Sequence, residues 1–391
     1  MPVGEAWTEC AGNPARTGTT GGANGGTPMT TSSAVPRCVE IPRPDRAPSG
    51  ARLRVLWVPP ERISSVRVAN LPLGMHAYED ALAFPVADLP GSDRLVGAVY
   101  DRFGNLIDAS QRARPGPRWR SNPKMLTDLD SRTADEALHL PGRTYFGGQL
   151  GHVFGHVLLE TLARFWRDLD YASYDQVVLY PIGQPAREIV VPELTLQVLA
   201  LVGVRRERVH VVQRRLVRFD LIDVVPSPIR LVKTVDPRML AVFDRIANAV
   251  DPVVVARDAP RIYLSRSRLA DGRRATNESE IEAMMTARGF AVIHPQQLPL
   301  LEQIALARRA EIIAGCDGSA LHIAAFARPG TRLLALDSRP TPNQVLIGWA
   351  RGLDAVHVDA LAGDRSSRTD AWTANLDRVR DAVDLRLAAE A

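Results

Sequence analysis

The sequence predicts an α/β protein built on parallel sheets with helices on both faces. Short apolar runs rich in Val, Ile and Leu alternate with helical patterns through both halves, as expected of parallel strands joined by crossover helices. At 391 residues the chain is long for one compact domain, so two are expected. A glycine turn organises the second half. The apolar run 311–314 leads into Gly315, Cys316, Asp317, Gly318, Ser319 and Ala320, and the apolar segment 321–326 leads out until Arg328-Pro329-Gly330 stops it. This reads as strand, tight turn, helix. The first turn of such a helix has unpaired N–H groups and the positive end of the dipole, so it can hold a phosphate. Many strand-to-helix turns with two glycines bind nothing, so the neighbours decide.

The composition is globular, with 46% apolar and 24% charged residues. A net charge of +4 suits an anionic small molecule as well as nucleic acid, but no nucleic-acid motif is present. Cys10, Cys38 and Cys316 lack metal-ligand spacing, and an odd count argues against a disulfide framework. No metal site is expected. No apolar run approaches the ~20 residues of a membrane span, and no basic-then-apolar leader opens the chain. A cytoplasmic protein is expected, with at most peripheral membrane association. The oligomeric state is not legible.

Residues 1–50, rich in Gly, Thr, Pro and Ala, read as a disordered tail. Order is expected from a strand at 53–58, followed by a hairpin over 95–108 that turns at Gly104-Asn105. The basic, proline-broken segment 112–120 reads as a solvated surface loop rather than a substrate-facing one. Glycines at 147, 148, 151 and 155 precede a helical pattern over 157–169. His156, Glu160 and Arg164 are spaced four apart and share a face away from the apolar one. A histidine and a carboxylate one turn apart suit proton transfer at the mouth of a cleft; the plainer alternative is a surface Glu–Arg pair.

Strands at 176–180, 208–212 and 221–225 and a helix at 194–201 complete the first half. The second half reads as a helix at 238–250 and a strand at 261–266, then a helix from Asn277 to about 288, with Asn277 and Glu280 spaced as a capping box. A strand at 291–294 and a helix at 300–310 holding Glu302 and Gln303 lead to the glycine turn. Strands at 332–336 and 355–358 and helices at 343–350 and 371–388 follow. Ligands of parallel sheets collect at the carboxyl ends of strands, where Ser265, Arg266 and the glycine turn fall. Arg266 offers a bidentate fork for phosphate, and Ser319 a hydroxyl and an N–H.

This order of motifs resembles the family 61 glycosyltransferases. The likeness is carried by His156-Val157-Leu158-Leu159-Glu160-Thr161-Leu162-Ala163-Arg164, by Tyr263-Leu264-Ser265-Arg266, by Asn277-Glu278 and by Glu302-Gln303-Ile304. It continues through the turn Gly315 to Leu321 and Phe326-Ala327-Arg328-Pro329-Gly330-Thr331. Relatives usually have Trp at Val157, His at Asp317, Ala at Ser319 and often Asn at His322, so the chain departs from them at four places.

The resemblance implies a GT-B-like fold of two Rossmann-like domains facing across a cleft: an acceptor domain over 51–235 and a donor domain over 236–345. Residues 346–391 would complete the second domain or pack back on the first. It implies metal-independent, inverting transfer of a hexosyl or pentosyl group, in surface or capsular polysaccharide synthesis. The partners are a nucleotide sugar and a glycan or lipid-linked acceptor, with no cofactor beyond that donor. Glu160 or His156 would be the base; Ser265, Arg266, Glu302, Gln303, Gly315, Asp317, Gly318, Ser319, Ala320 and His322 would line the donor site. A non-catalytic nucleotide-sugar-binding subunit and a nucleotide-sugar epimerase are the alternative readings.

Overall fold

A computed structural model describes residues 38–58, 66–88, 95–112, 137–182, 189–250, 259–269, 274–316, 318–337, 341–363 and 371–388. Most of the expected tail, all but the first residue of the basic segment 112–120, and Asp317 lie outside the described residues. The chain from Arg37 to Ala391 forms one compact unit of mixed α/β structure.

A seven-stranded sheet runs in the order Cys38–Glu40, Arg52–Leu56, Asp354–Asp359, Arg332–Asp337, Ile312–Cys316, Arg261–Leu264, Ala291–Ile293. All neighbours are parallel except the first pair. The sheet corrects two expectations. Order begins before the strand at 53–58: Val39 pairs with Val55, and Ile41 N–H donates to Leu53 O at 2.8 Å. Arg52–Leu56 pairs with Asp354–Asp359, so the opening strand belongs to the second half's sheet. Leu53 and Val55 on one face and Leu56 on the other are all buried, as in a sheet covered on both faces.

From Arg261 onward, the five parallel strands are laid down with the second outside the first and the rest on its other side. The topological switch point therefore lies between Arg261–Leu264 and Ile312–Cys316, and a ligand crevice is expected beyond their carboxyl ends. Helices cover both faces. Leu300–Arg309 and Pro342–Arg351 pack on one, and Glu278–Ala287 and Leu376–Ala388 on the other.

The second sheet has six strands, in the order Val209–Val211, Gln176–Pro181, Leu138–Leu150, Val217–Val224, His76–Ala83, Val99–Tyr100. Its first four are mutually parallel and its last two antiparallel. One apolar core joins the two sheets, from Tyr145 and Leu158 through Phe243 to Ile313 and Phe326. The helix Leu240–Val250 is the bridge. Arg245 donates to the carbonyls of Phe165 and Arg167 at 2.6 and 2.8 Å, while Phe243 meets Phe326 edge to face at 4.9 Å.

Candidate functional site

The long strand Leu138–Leu150 delivers the chain to the first half of the site. It ends at Gly151, and one α-helical turn, Phe154–His156, opens into a π-helical stretch, Val157–Thr161, and then a 3₁₀ turn, Leu162–Phe165. The expected regular helix over 157–169 is therefore replaced by a widened turn, a distortion frequent at functional sites. Thr161 anchors it, donating its hydroxyl to Gln149 O at 2.5 Å and accepting from Gly151 N–H at 3.2 Å.

Within this stretch, Glu160 is buried and His156 remains at the surface of a cleft, its side chain 38% exposed. His156 Nδ1 is hydrogen bonded to Glu160 Oε2. The fork of Arg112 holds the same carboxylate, Nε to Oε1 at 2.5 Å and Nη2 to Oε2 at 2.7 Å, with both side chains buried. Burial works against the charge on Glu160, but the bonds from Arg112 and His156 outweigh it and hold its carboxyl at about 2. An ionised carboxylate only accepts, so the hydrogen between the two residues sits on His156 Nδ1 and the ring presents Nε2 to the cleft.

Arg164 does not pair with Glu160, contrary to the four-residue spacing. It is buried, and its Nη1 donates to Ala109 O and Val225 O at 2.7 and 2.8 Å, its Nη2 to Gln111 O at 3.1 Å. Burial lowers its pKa to about 10. Arg112, assigned from sequence to a solvated loop, is the residue that reasoning missed. Nothing local marks a partner 48 positions distant.

The opposite wall of the cleft is the switch point of the seven-stranded sheet. Beyond Arg261–Leu264, Ser265 is buried, and with Ser267 it donates to Glu282 Oε1, each at 2.5 Å. Arg266 N–H donates to Glu278 Oε1 at 2.7 Å, which explains why a glutamate opens the helix Glu278–Ala287. The capping box does not form: Asn277 instead exchanges hydrogen bonds with the backbone of Ala374, at 3.0 and 2.9 Å. The Arg266 guanidinium forms no salt bridge among the described residues, although its charge favours the ionised form of Glu278. It lies over Gly318, where a Cβ would fall 2.9 Å from Nη1.

The segment after the glycine turn, Ser319–Phe326, is a 3₁₀ helix rather than the expected α-helix. Gly315 is a packing glycine inside the strand, where a Cβ would meet Leu264 O at 3.0 Å, and it does not line the cleft.

Between the walls lies a cleft of about 620 Å³. His156 enters from one side; Ser265, Arg266, Gln303, Gly318, Ser319, Ala320 and His322 enter from the other. Gln303 also pins the rim, donating to Pro295 O and Leu298 O at 2.8 and 2.9 Å. His322 is buried with Nδ1 3.0 Å from Gln344 Oε1. Gly155 is the pinch between the walls, where a Cβ would fall 2.9 Å from His322 Cδ2 and 3.1 Å from Ser319 Cβ. Glu302 falls outside the cleft, in a separate cavity of about 160 Å³ with His294 and Gln297. Among the described residues no group of three or more His, Cys, Asp or Glu is arranged to hold a metal ion, and no helix is long and apolar enough to cross a membrane.

Fold and site together define a mixed α/β protein with a cleft at the switch point of a parallel sheet, a cation on one wall and a carboxylate-bound histidine on the other. Residues 154–334 match the family model described as Glycosyltransferase 61. The match takes in both walls, from the turn that holds His156 to the strand after the glycine turn. No curated protein matches the chain.

Proposed function

We propose that the protein is an inverting glycosyltransferase that moves a hexosyl or pentosyl group from a nucleotide-sugar donor to a glycan or lipid-linked acceptor. Its setting is surface polysaccharide synthesis in the cytoplasm, and its plan is GT-B-like, with the two sheets facing across the cleft. One observation carries the reading. A histidine hydrogen bonded through Nδ1 to a buried carboxylate and an arginine in no salt bridge among the described residues line the same cleft at a topological switch point.

In the reaction the acceptor hydroxyl oxygen attacks the anomeric carbon as the bond from that carbon to the diphosphate oxygen breaks. His156 Nε2 takes the hydroxyl proton. Glu160 is the weaker candidate for this task, because both its oxygens are occupied and its carboxyl is held at about 2, so it orients the imidazole instead. The charge that develops on the leaving diphosphate is met by Arg266 and the N–H groups of Gly318, Ser319 and Ala320, with no metal required. Asp317 and His322 adjoin the same turn and belong to the donor side.

The test is release of nucleoside diphosphate from a panel of nucleotide sugars, with a chelator present. His156→Gln is expected to lower release by about 10²–10⁴-fold while leaving nucleoside diphosphate affinity within about threefold. Full turnover by His156→Gln contradicts the assignment.

A further inference from the structure

A buried carboxylate beside an imidazole creates a difficulty for base catalysis. An opposite charge at hydrogen-bond distance favours the imidazolium, by about 1–3 pH units, and a histidine already carrying its proton cannot take another. Glu160 is nine-tenths buried and bonded to His156, so alone it would draw a proton onto the ring.

The arrangement around it supplies the remedy. Arg112 spans both oxygens of Glu160 through two parallel bonds at 2.5 and 2.7 Å, and its side chain is 4% exposed. Its placement is fixed by a second arginine. Arg164 grips the carbonyls of Ala109 and Gln111, the residues leading into Arg112, and the carbonyl of Val225 on the neighbouring strand's end. Gly148 leaves room for this grip, since a Cβ there would fall 2.7 Å from Arg164 Cδ. We propose that Arg112 is a positioning residue that keeps His156 uncharged: its guanidinium cancels the charge of Glu160, so the carboxylate fixes the imidazole tautomer without protonating it.

Among the described residues, the other charged and titratable groups around the ring act in the same sense. His152, just upstream, has its own pKa lowered by burial and then by His156. His322 faces the ring's helical turn across Gly155, Arg266 lines the far wall, and Arg164 lies on the same segment. All are cations or potential cations, and each opposes a second positive charge on His156. Glu160 is the group that favours it, and Arg112 neutralises Glu160.

The inference rests on His156 being the base, but it is read from the ring itself, so it can fail while transfer and nucleotide binding stand. The full chain is labelled at its eight histidines, and the His156 ring signals are identified by their loss in His156→Gln. Each variant is titrated by nitrogen-detected magnetic resonance. Arg112→Met is expected to raise the His156 midpoint by about one unit or more, a tenfold gain in proton affinity, while Arg112→Lys stays within about half a unit. Glu160→Gln is expected to move it the other way, and it provides the sign test even if Arg112→Met fails to fold. An unchanged midpoint in a folded Arg112→Met protein, or an upward shift in Glu160→Gln, overturns the proposal.

Discussion

The two walls of the cleft treat charge in opposite ways. On the histidine wall every strong charge is matched: Glu160 is forked by Arg112 and bonded to His156, and Arg164 is satisfied by three carbonyls. On the glycine-turn wall Arg266 packs over Gly318 and forms no salt bridge among the described residues. The first wall is organised internally and offers one ring nitrogen. The second keeps a positive charge in reserve, as a site for an anion must.

The contrast is most open to attack at its two arginines. Arg164→Met strands three carbonyls in the interior, and the expected loss is about 4 kcal/mol of unfolding free energy by urea titration. The same change at Arg266 should cost under about 0.5 kcal/mol, because its guanidinium holds no part of the fold together. Equal losses at both positions would erase the distinction.

Acid should separate the sheets next. His357 is buried in the seven-stranded sheet with Nε2 unpartnered among the described residues, and burial lowers its pKa to about 4 from 6.5. The unfolded chain therefore binds the proton first, and stability falls as pH drops from 6.5 toward 4, by about 3 kcal/mol in all. Glu160 is depressed from 4.5 to about 2, so its contribution, also about 3 kcal/mol, is present above pH 4.5 and lost between 4.5 and 2. His357→Leu should flatten the first window and leave the second; unfolding free energies measured across pH 2–8 decide it.

Smaller effects test the contact between the walls. Gly155→Ala places a methyl against His322 and Ser319 and should cost about 1–3 kcal/mol, with a displaced His322 signal. Gly318→Ala meets the far end of the Arg266 side chain, which must shift, and strains a backbone held at a φ of +159°. Anion binding should weaken by several-fold, about 1 kcal/mol, and the backbone strain should cost about 1–3 kcal/mol of stability.

Much of the fold was legible because strand and helix periods differ and the chain alternates them. The parallel strands on either side of the glycine turn were found, as was the sheet edge on which Arg266 and Ser319 fall. The errors arose where distant partners override local pattern. Cys38–Glu40 is too short to show a period and exists because Val39 pairs with Val55. Asn277 has the spacing of a cap but spends its amide on Ala374, 97 residues away. A π-helical stretch keeps its apolar residues at nearly helical spacing, so Val157–Thr161 looked regular and Glu160 seemed exposed. Arg112 had no local signal, since a basic residue before a proline-rich run usually belongs to solvent.

The most direct measurement is calorimetric titration of nucleoside diphosphates into the wild type, Arg266→Ala and His156→Gln, with a chelator present. The account predicts that one diphosphate binds the wild type, that Arg266→Ala weakens it by about a hundredfold, or about 3 kcal/mol, and that His156→Gln leaves it within about threefold. Unchanged binding in Arg266→Ala, or no binding of any diphosphate to the wild type, would contradict the division of labour between the two walls.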